Sequence, residues 1–348
     1  GLSAARSLIN SGNKRVLVLE LAAEAGGNSR GGKTGEKAYP WGAHYLPAPG
    51  PDLPEIRTLL KELGVIYKHD ENGEPFFEET YLCHSPQERL LINGSWQAGL
   101  VPKTGIPEKD SRQIHAFLNW TNELQNTRGS DGFPAFTIPL SKSSKDEQFR
   151  KWDSMTIADL LEEKGWTSPF LLWYVNYCCR DDFGGTIHQT SAWAGLHYFC
   201  SRRSGGANAG SGDVLTWPEG NSWLTNRMAD DLGEHLRCNS LVYQIANKDD
   251  GISLRYMDLT NGKVTNIEAR KAIFAGPQHV GSRLIQGRTA TERLPSVPWV
   301  TANIFLKRSP EGLGAPLSWD NVAYDSPSLG YIHADHQRMD AIPAKERV

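Results

Sequence analysis

The alternation of apolar and polar positions divides the chain into short blocks. Ala4, Ala5, Leu8 and Ile9 recur at helical spacing, and Gly12-Asn13 stops the run. Val16-Leu17-Val18-Leu19 follows as a continuous apolar run ending in Glu20, the pattern of a parallel strand buried on both faces. The same reading predicts helices over 54–64, 110–127, 153–164, 168–184 and 191–203. Asp153 or Ser154 is the expected cap of the third. FEETYLCH and RLLING read as strands. LTWPEGNSWLTNRMADDLGEHL (215–236) reads as a turn and a helix, followed by strands in SLVYQI, ISLRYMDL and 263–270. KAIFAGP (271–277) reads as another buried strand, and VPWVTANIFLKR (297–308) as a strand of a second domain.

Length and balance narrow the class. The chain has 348 residues, enough for about two domains. Its 37 basic and 40 acidic residues give a net charge of −3, which argues against nucleic acid as a main partner. No apolar run approaches the ~20 residues of a membrane span. The five cysteines (Cys83, Cys178, Cys179, Cys200 and Cys238) contain no C-x-x-C, so a reduced, structural role is expected rather than a disulfide frame or a zinc site. Eleven tryptophans point to large buried aromatic surfaces. The compartment stays open between cytoplasm and periplasm, as does the oligomeric state.

The opening carries the first chemical signal. A helix that begins Gly-Leu-Ser-Ala-Ala and feeds a strand ending in an acid matches the second half of a dinucleotide-binding βαβ unit. Gly1 stands where the third glycine of G-x-G-x-x-G belongs, and Glu20 follows it by 19 residues, close to the ≈ 20 expected for a ribose-binding carboxylate. The first strand and the first two glycines are expected before Gly1. An ordinary amphipathic helix and strand is the simpler alternative.

The ordered set of later motifs resembles a known family. Glu20 followed by Gly26-Gly27, then Trp217-Pro218-Glu219-Gly220-Asn221, then a run ending Ala275-Gly276-Pro277, is similar to the FAD-dependent amine oxidoreductases. That superfamily includes flavin monoamine oxidases, phytoene desaturases and protoporphyrinogen oxidases. The stretches YCCRDDFGGTIHQTSAWAGLHYF and APLSWDNVAYDSPSLGYIHADHQ look like a bacterial branch of it. The resemblance implies an α/β fold: a Rossmann-like FAD/NAD(P)-binding domain (1–75 and 206–290) with an inserted α+β substrate domain (76–205 and 291–348), and catalysis where the two meet.

The resemblance also implies roles. Gly1 would face the pyrophosphate, Glu20 the adenosine ribose, and Gly26, Gly27 and Asn28 the passing cofactor. Arg30 is either a phosphate counter-charge or a solvated arginine. Gly42, Ala43, His44 and Tyr45 would run along the isoalloxazine, with His44 either a flavin contact or a core histidine. Trp217, Pro218, Gly220 and Asn221 would form the turn into the flanking helix. Val242 would meet the adenine through its backbone, and Gly276-Pro277 would close the returning strand. A plain turn or core strand is the alternative for each. Two departures stand out: Asn28 replaces the arginine many relatives carry after the glycine pair, and Thr301-Ala302-Asn303-Ile304 has no lysine at its centre, Lys307 lying further along.

The implied activity is oxidation of an amine or related small molecule by hydride transfer to flavin N5, with oxygen or a quinone as electron acceptor. Alternatives are a desaturase or isomerase acting on a lipid-like or polycyclic substrate, an NAD(P)-dependent dehydrogenase, and a non-catalytic flavin-binding protein. No catalytic residue is singled out. Trp193, Asn303, Tyr331 and His336 are the candidate pocket residues. His333 and His336 lie three apart on an expected strand, so they point to opposite faces and do not suggest a metal.

Overall fold

A computed structural model describes residues 1–35, 37–83, 87–203, 205–210, 212–288, 296–308, 310 and 312–334. The chain forms two compact units, one of 1–44 with 218–296 and one of 45–217 with 297–348. Residues 45–75 and 206–217, expected with the nucleotide unit, pack in the second.

The first unit opens with the helix Leu2–Asn10, whose N-cap Gly1 provides no side-chain cap. The strand Val18–Leu19 pairs in parallel with Leu236–Arg237. It is shorter and less buried than its apolar run suggests: it has one partner strand among the described residues, and Leu17 is exposed. The ladder hands over at Glu20, whose carbonyl accepts from Ser240 N–H at 2.8 Å. From there Ser240–Lys248, Gly251–Asp258 and Val264–Ala269 form an antiparallel sheet in that order. A register shift between Val242 and Gln244 places a bulge at Tyr243. The helix Ser222–Leu232 packs against Leu2–Asn10, joined by Arg6 Nε to Asp231 at 3.1 Å.

The second unit holds a helical core. Its main helices are Glu108–Asn126, Ile157–Glu163, Pro169–Phe183 and Ala192–Cys200. Their boundaries follow local chemistry. Ser168 accepts from Leu171 N–H, Pro169 sits in the first turn, and Gly184 closes the helix at φ +65°. Ser191 caps the next helix through Ala194 N–H. The cap of Ile157–Glu163 is Thr156 in a reciprocal box with Asp159, not Asp153 or Ser154, which lie in a 3₁₀ turn. Phe117 is fully buried between Trp166 and Phe199, both edge-on at 5.7 and 5.0 Å.

Beside these helices is a four-stranded sheet ordered Tyr331–Ile332, Asp320–Ala323, Glu88–Ile92, Ser95–Ala98. Asn93 and Gly94 close its hairpin at φ +52° and +76°, the mirror-image turn that matches strand twist. Its central pair is parallel, with Asp320 opposite Glu88 and Asn321 opposite Arg89.

Three expected strands are absent among the described residues. FEETYLCH holds a 3₁₀ turn over Glu79–Tyr81. Residues 271–277 and 297–308 form no strand, and their apolar side chains are open to water, Ile273 at 65% and Val300 at 91%. Neither run finds a ladder partner among the described residues, and apolar periodicity alone cannot supply one.

Candidate functional site

In the first unit, three stretches far apart in sequence meet around glycines. Ala43 N–H donates to the Asn28 carbonyl at 3.3 Å, Trp41 N–H to Arg30 at 3.0 Å, and Asn221 N–H to Ala43 at 3.0 Å. The approach leaves no room for side chains. A Cβ on Gly42 would lie 2.8 Å from the Asn28 carbonyl oxygen. One on Gly31 would lie 2.6 Å from Ser222 Oγ and 3.0 Å from the Glu219 oxygen. Gly220 turns at φ +64° beneath Pro40 and His44. Gly26-Arg30, Gly42-His44 and Gly220-Asn221 therefore form one cradle. Burial lowers the His44 pKa, partly offset by its bond to the Gly42 carbonyl at 3.2 Å, so the ring is neutral at pH 7.

The residues read as nucleotide contacts present open groups. Gly27 sits at φ +56°, and a Cβ there would meet nothing within 4 Å. A flat group can thus pass against the Gly27 backbone. Arg30 folds back, its Nε donating to the Gly27 carbonyl at 3.2 Å. One Glu20 oxygen accepts from Ala22 N–H at 2.8 Å, which fixes the carboxylate while the other oxygen makes no bond among the described residues. Ala275 passes 3.7 Å from the Cβ position of Gly1, and Gly276-Pro277 leads into the helix Gln278–Leu284 rather than closing a strand. Val242 lies on the edge strand beside the Tyr243 bulge. An uncapped helix N-terminus, a fixed carboxylate and a glycine-open loop suit a dinucleotide's pyrophosphate, ribose and planar ring.

The other named residues fall in the second unit. Tyr45 pairs with Thr216 and stands edge-on to Trp319 at 5.4 Å. Trp217 is fully buried beside Tyr81 at 6.0 Å. Of the pocket candidates, Trp193 stacks on His197 at 5.1 Å and packs on Phe136 within the helical core. Tyr331 accepts a bond from Arg89, and Asn303 lies in the extended 297–308 segment. The structure does not gather these three into one pocket. His336 lies outside the described residues.

The sequence reading missed an acidic group in the second unit. Asp320 and Glu88 are register partners on adjacent strands, and Asp181 reaches them from the helix Pro169–Phe183. Burial, then the Glu88 and Asp181 charges, push the Asp320 carboxyl up to about 8. Burial raises Glu88 and Asp181 as well, although Glu88 keeps water access. The nearby cation is Arg202, already 2.7 Å from Asp182. Like charges side by side on a sheet are unfavourable, and Asp320 meets that cost by keeping its proton near neutral pH, while Arg202 acts on Glu88 and Asp181. No cluster among the described residues has the arrangement of a metal site. The available signal was an Asp-Asp pair and a Trp-Asp-Asn in otherwise aromatic stretches.

On the opposite side of the same strands, Arg89 is buried. Its Nε donates to Asn321 Oδ1 at 2.5 Å, Nη1 to the Ala315 carbonyl at 3.2 Å and Nη2 to Tyr331 Oη at 3.1 Å, and the guanidinium lies 3.9 Å from the Trp96 ring. It ties the sheet together.

The loops and parallel pair of the first unit fit a Rossmann-like domain. A family model, the NAD(P)-binding Rossmann-like domain, matches residues 1–63. Flavin-containing amine oxidase B of Bos taurus is 25% identical over 294 residues, covering 82% of this chain and 49% of that protein. The chain thus spans about half the length of the curated relatives it matches. Among solved structures, a redesigned putrescine oxidase superposes with a TM-score of 0.58 at 18% identity, over 82% of this chain and 57% of that one. A CLA-producing fatty acid isomerase from P. acnes gives 0.55 at 16%, over 82% and 59%. Over most of its length the chain is thus similar to flavin-containing amine oxidases.

Proposed function

We propose that this chain is part of an FAD-dependent oxidoreductase whose substrate is a small amine. The observation that carries the reading is the glycine cradle of the first unit, with Gly27 open and Glu20 held by Ala22 N–H. Glu20 would bind the adenosine ribose, the N-terminus of Leu2–Asn10 the pyrophosphate, and Gly26-Gly27 and Gly42-His44 the flat part of the cofactor. FAD held by these residues would supply a two-electron acceptor for the substrate's hydride, with oxygen or a quinone as the final acceptor.

The acids of the second unit favour an amine over other donors. Glu88 and Asp181 would draw an ammonium toward Asp320. Asp320, with its carboxyl near 8, is matched to hold or release the proton of a bound amine around neutral pH. The fatty acid isomerase likeness offers a second reading. A carboxylate substrate would be repelled by Glu88 and Asp181, so the amine is preferred.

The test is an anaerobic titration of the full-length protein with a panel of amines, followed at the flavin bands. Bleaching by an amine supports the reading. Flavin bands that no amine bleaches would move it to the isomerase or desaturase class. A protein that takes up no flavin would end it.

A further inference from the structure

The second unit has a cleft of about 370 Å³ that the proposed chemistry does not use. One wall is a single face of the helix Pro169–Phe183, carrying Trp173, Asn176, Tyr177 and Arg180 at helical spacing. The other is the turn Tyr324–Ser328 after strand Asp320–Ala323. Its apolar lining is a stack of rings: Trp173 lies 5.8 Å from Tyr177, nearly parallel at 18°, and 4.8 Å from Tyr324.

The polar end is rich in donors. Asn176 Oδ1 accepts from Ile187 N–H at 3.1 Å, which fixes the amide so that its NH₂ is the remaining group, and that NH₂ makes no bond among the described residues. Arg180 sits one turn on. One of its terminal nitrogens donates to the Pro327 carbonyl, and its charge meets no carboxylate in an ion pair among the described residues. The Ser326 and Ser328 hydroxyls lie 3.0 Å apart, so at most one hydrogen is used between them. Asp325 is the lone acid of the lining and is exposed to water.

We infer that this cleft is a binding site for a small aromatic carboxylate. The ring packs on Trp173, which is stacked on Tyr177 and tilted toward Tyr324, and the carboxylate is held by Arg180 and the Asn176 NH₂. An aromatic ring on a ring stack and a carboxylate on a guanidinium are each favourable pairings, and the volume suits one ring with a short side chain. Asp325 at the rim disfavours a second negative charge, so a monoanion is selected. Tyr177 of its wall touches Asp320 of the acidic group, whereas Arg180 and Asn176 take no part in the FAD and amine assignment.

Calorimetric titration of the full-length protein with benzoate and phenylacetate tests this, with benzamide and acetate as probes lacking the charge or the ring. Both aryl carboxylates are expected to bind, with benzamide and acetate at least ~10-fold weaker, about the worth of a charge-assisted bond. Arg180→Ala should weaken benzoate at least ~10-fold, Arg180→Lys less, and Asp325→Asn should tighten it. Arg180→Gln keeps a donor for Pro327 and serves if the alanine variant fails to fold. Benzoate affinity unchanged in Arg180→Gln, or binding of benzamide equal to benzoate, would overturn the inference. So would binding that shifts the flavin bands and ignores Arg180, since that ligand sits elsewhere. Arg180-dependent binding in a protein without flavin would keep this site and remove the FAD reading.

Discussion

Asp320→Asn is a direct test of the acidic group. The folded protein raises this carboxyl from 3.8 to about 8, chiefly by burial and then by Glu88 and Asp181. An acid so raised holds its proton more tightly folded than unfolded. Below about pH 4 both states are protonated and the group costs nothing. As pH rises toward 8 the unfolded chain gains from ionising and the folded one does not, so stability falls. Four units at ~1.4 kcal/mol each give a ceiling of roughly 6 kcal/mol. Water access to the recess and the sharing of charge with Glu88 and Asp181 lower this to about 2 to 3 kcal/mol. Asparagine keeps the size and an acceptor oxygen but removes the titration. Thermal unfolding of both proteins from pH 5 to pH 9 should show the wild type losing stability with pH and the variant following a flatter line. At pH 9 the variant should melt roughly 5 to 10 °C higher. A variant that parallels the wild type at every pH, or melts lower at pH 9, would refute the argument that Asp320 is held protonated by its surroundings.

Other outcomes follow from single contacts. Gly31→Ala places a Cβ 2.6 Å from Ser222 Oγ and should cost about 1 to 3 kcal/mol in denaturant unfolding, with loss of flavin from the purified protein. Glu20→Ala should weaken FAD by roughly 10-fold or more in a reconstitution titration while leaving the melting temperature of the flavin-free protein unchanged. Thr156→Ala breaks the capping box with Asp159 and should cost about 1 kcal/mol; no change in urea midpoint would argue that the helix start is held by packing alone. Arg89→Met leaves the Asn321 and Tyr331 oxygens without their donor and should cost about 3 kcal/mol or more.

What the sequence showed depended on how local the cause was. Ser168, Gly184 and Ser191 mark helix ends through bonds to residues three or four away, so those helices were legible. The glycine cradle was legible in its parts, because Gly26-Gly27, Gly42 and Gly220 each sit in a recognisable turn. Their meeting rests on bonds such as Asn221 to Ala43, which no local pattern encodes. The acid pair was hidden for the same reason. Glu88 and Asp320 become neighbours only through a parallel register between strands 232 positions apart. Residues 271–277 and 297–308 misled in the other direction, since an apolar run signals a strand only if another strand is there to receive it.

The tryptophans divide unevenly between the two units. Only Trp41 and Trp223 belong to the first, and the other nine fall in the second, where Trp120 packs against both Trp152 and Trp166. Intrinsic fluorescence therefore lights one half of the protein and leaves the other nearly dark. Far-ultraviolet circular dichroism sees the backbone of both. Followed side by side during heating, the two signals separate the melting of the nucleotide unit from that of the helical one, with no label added.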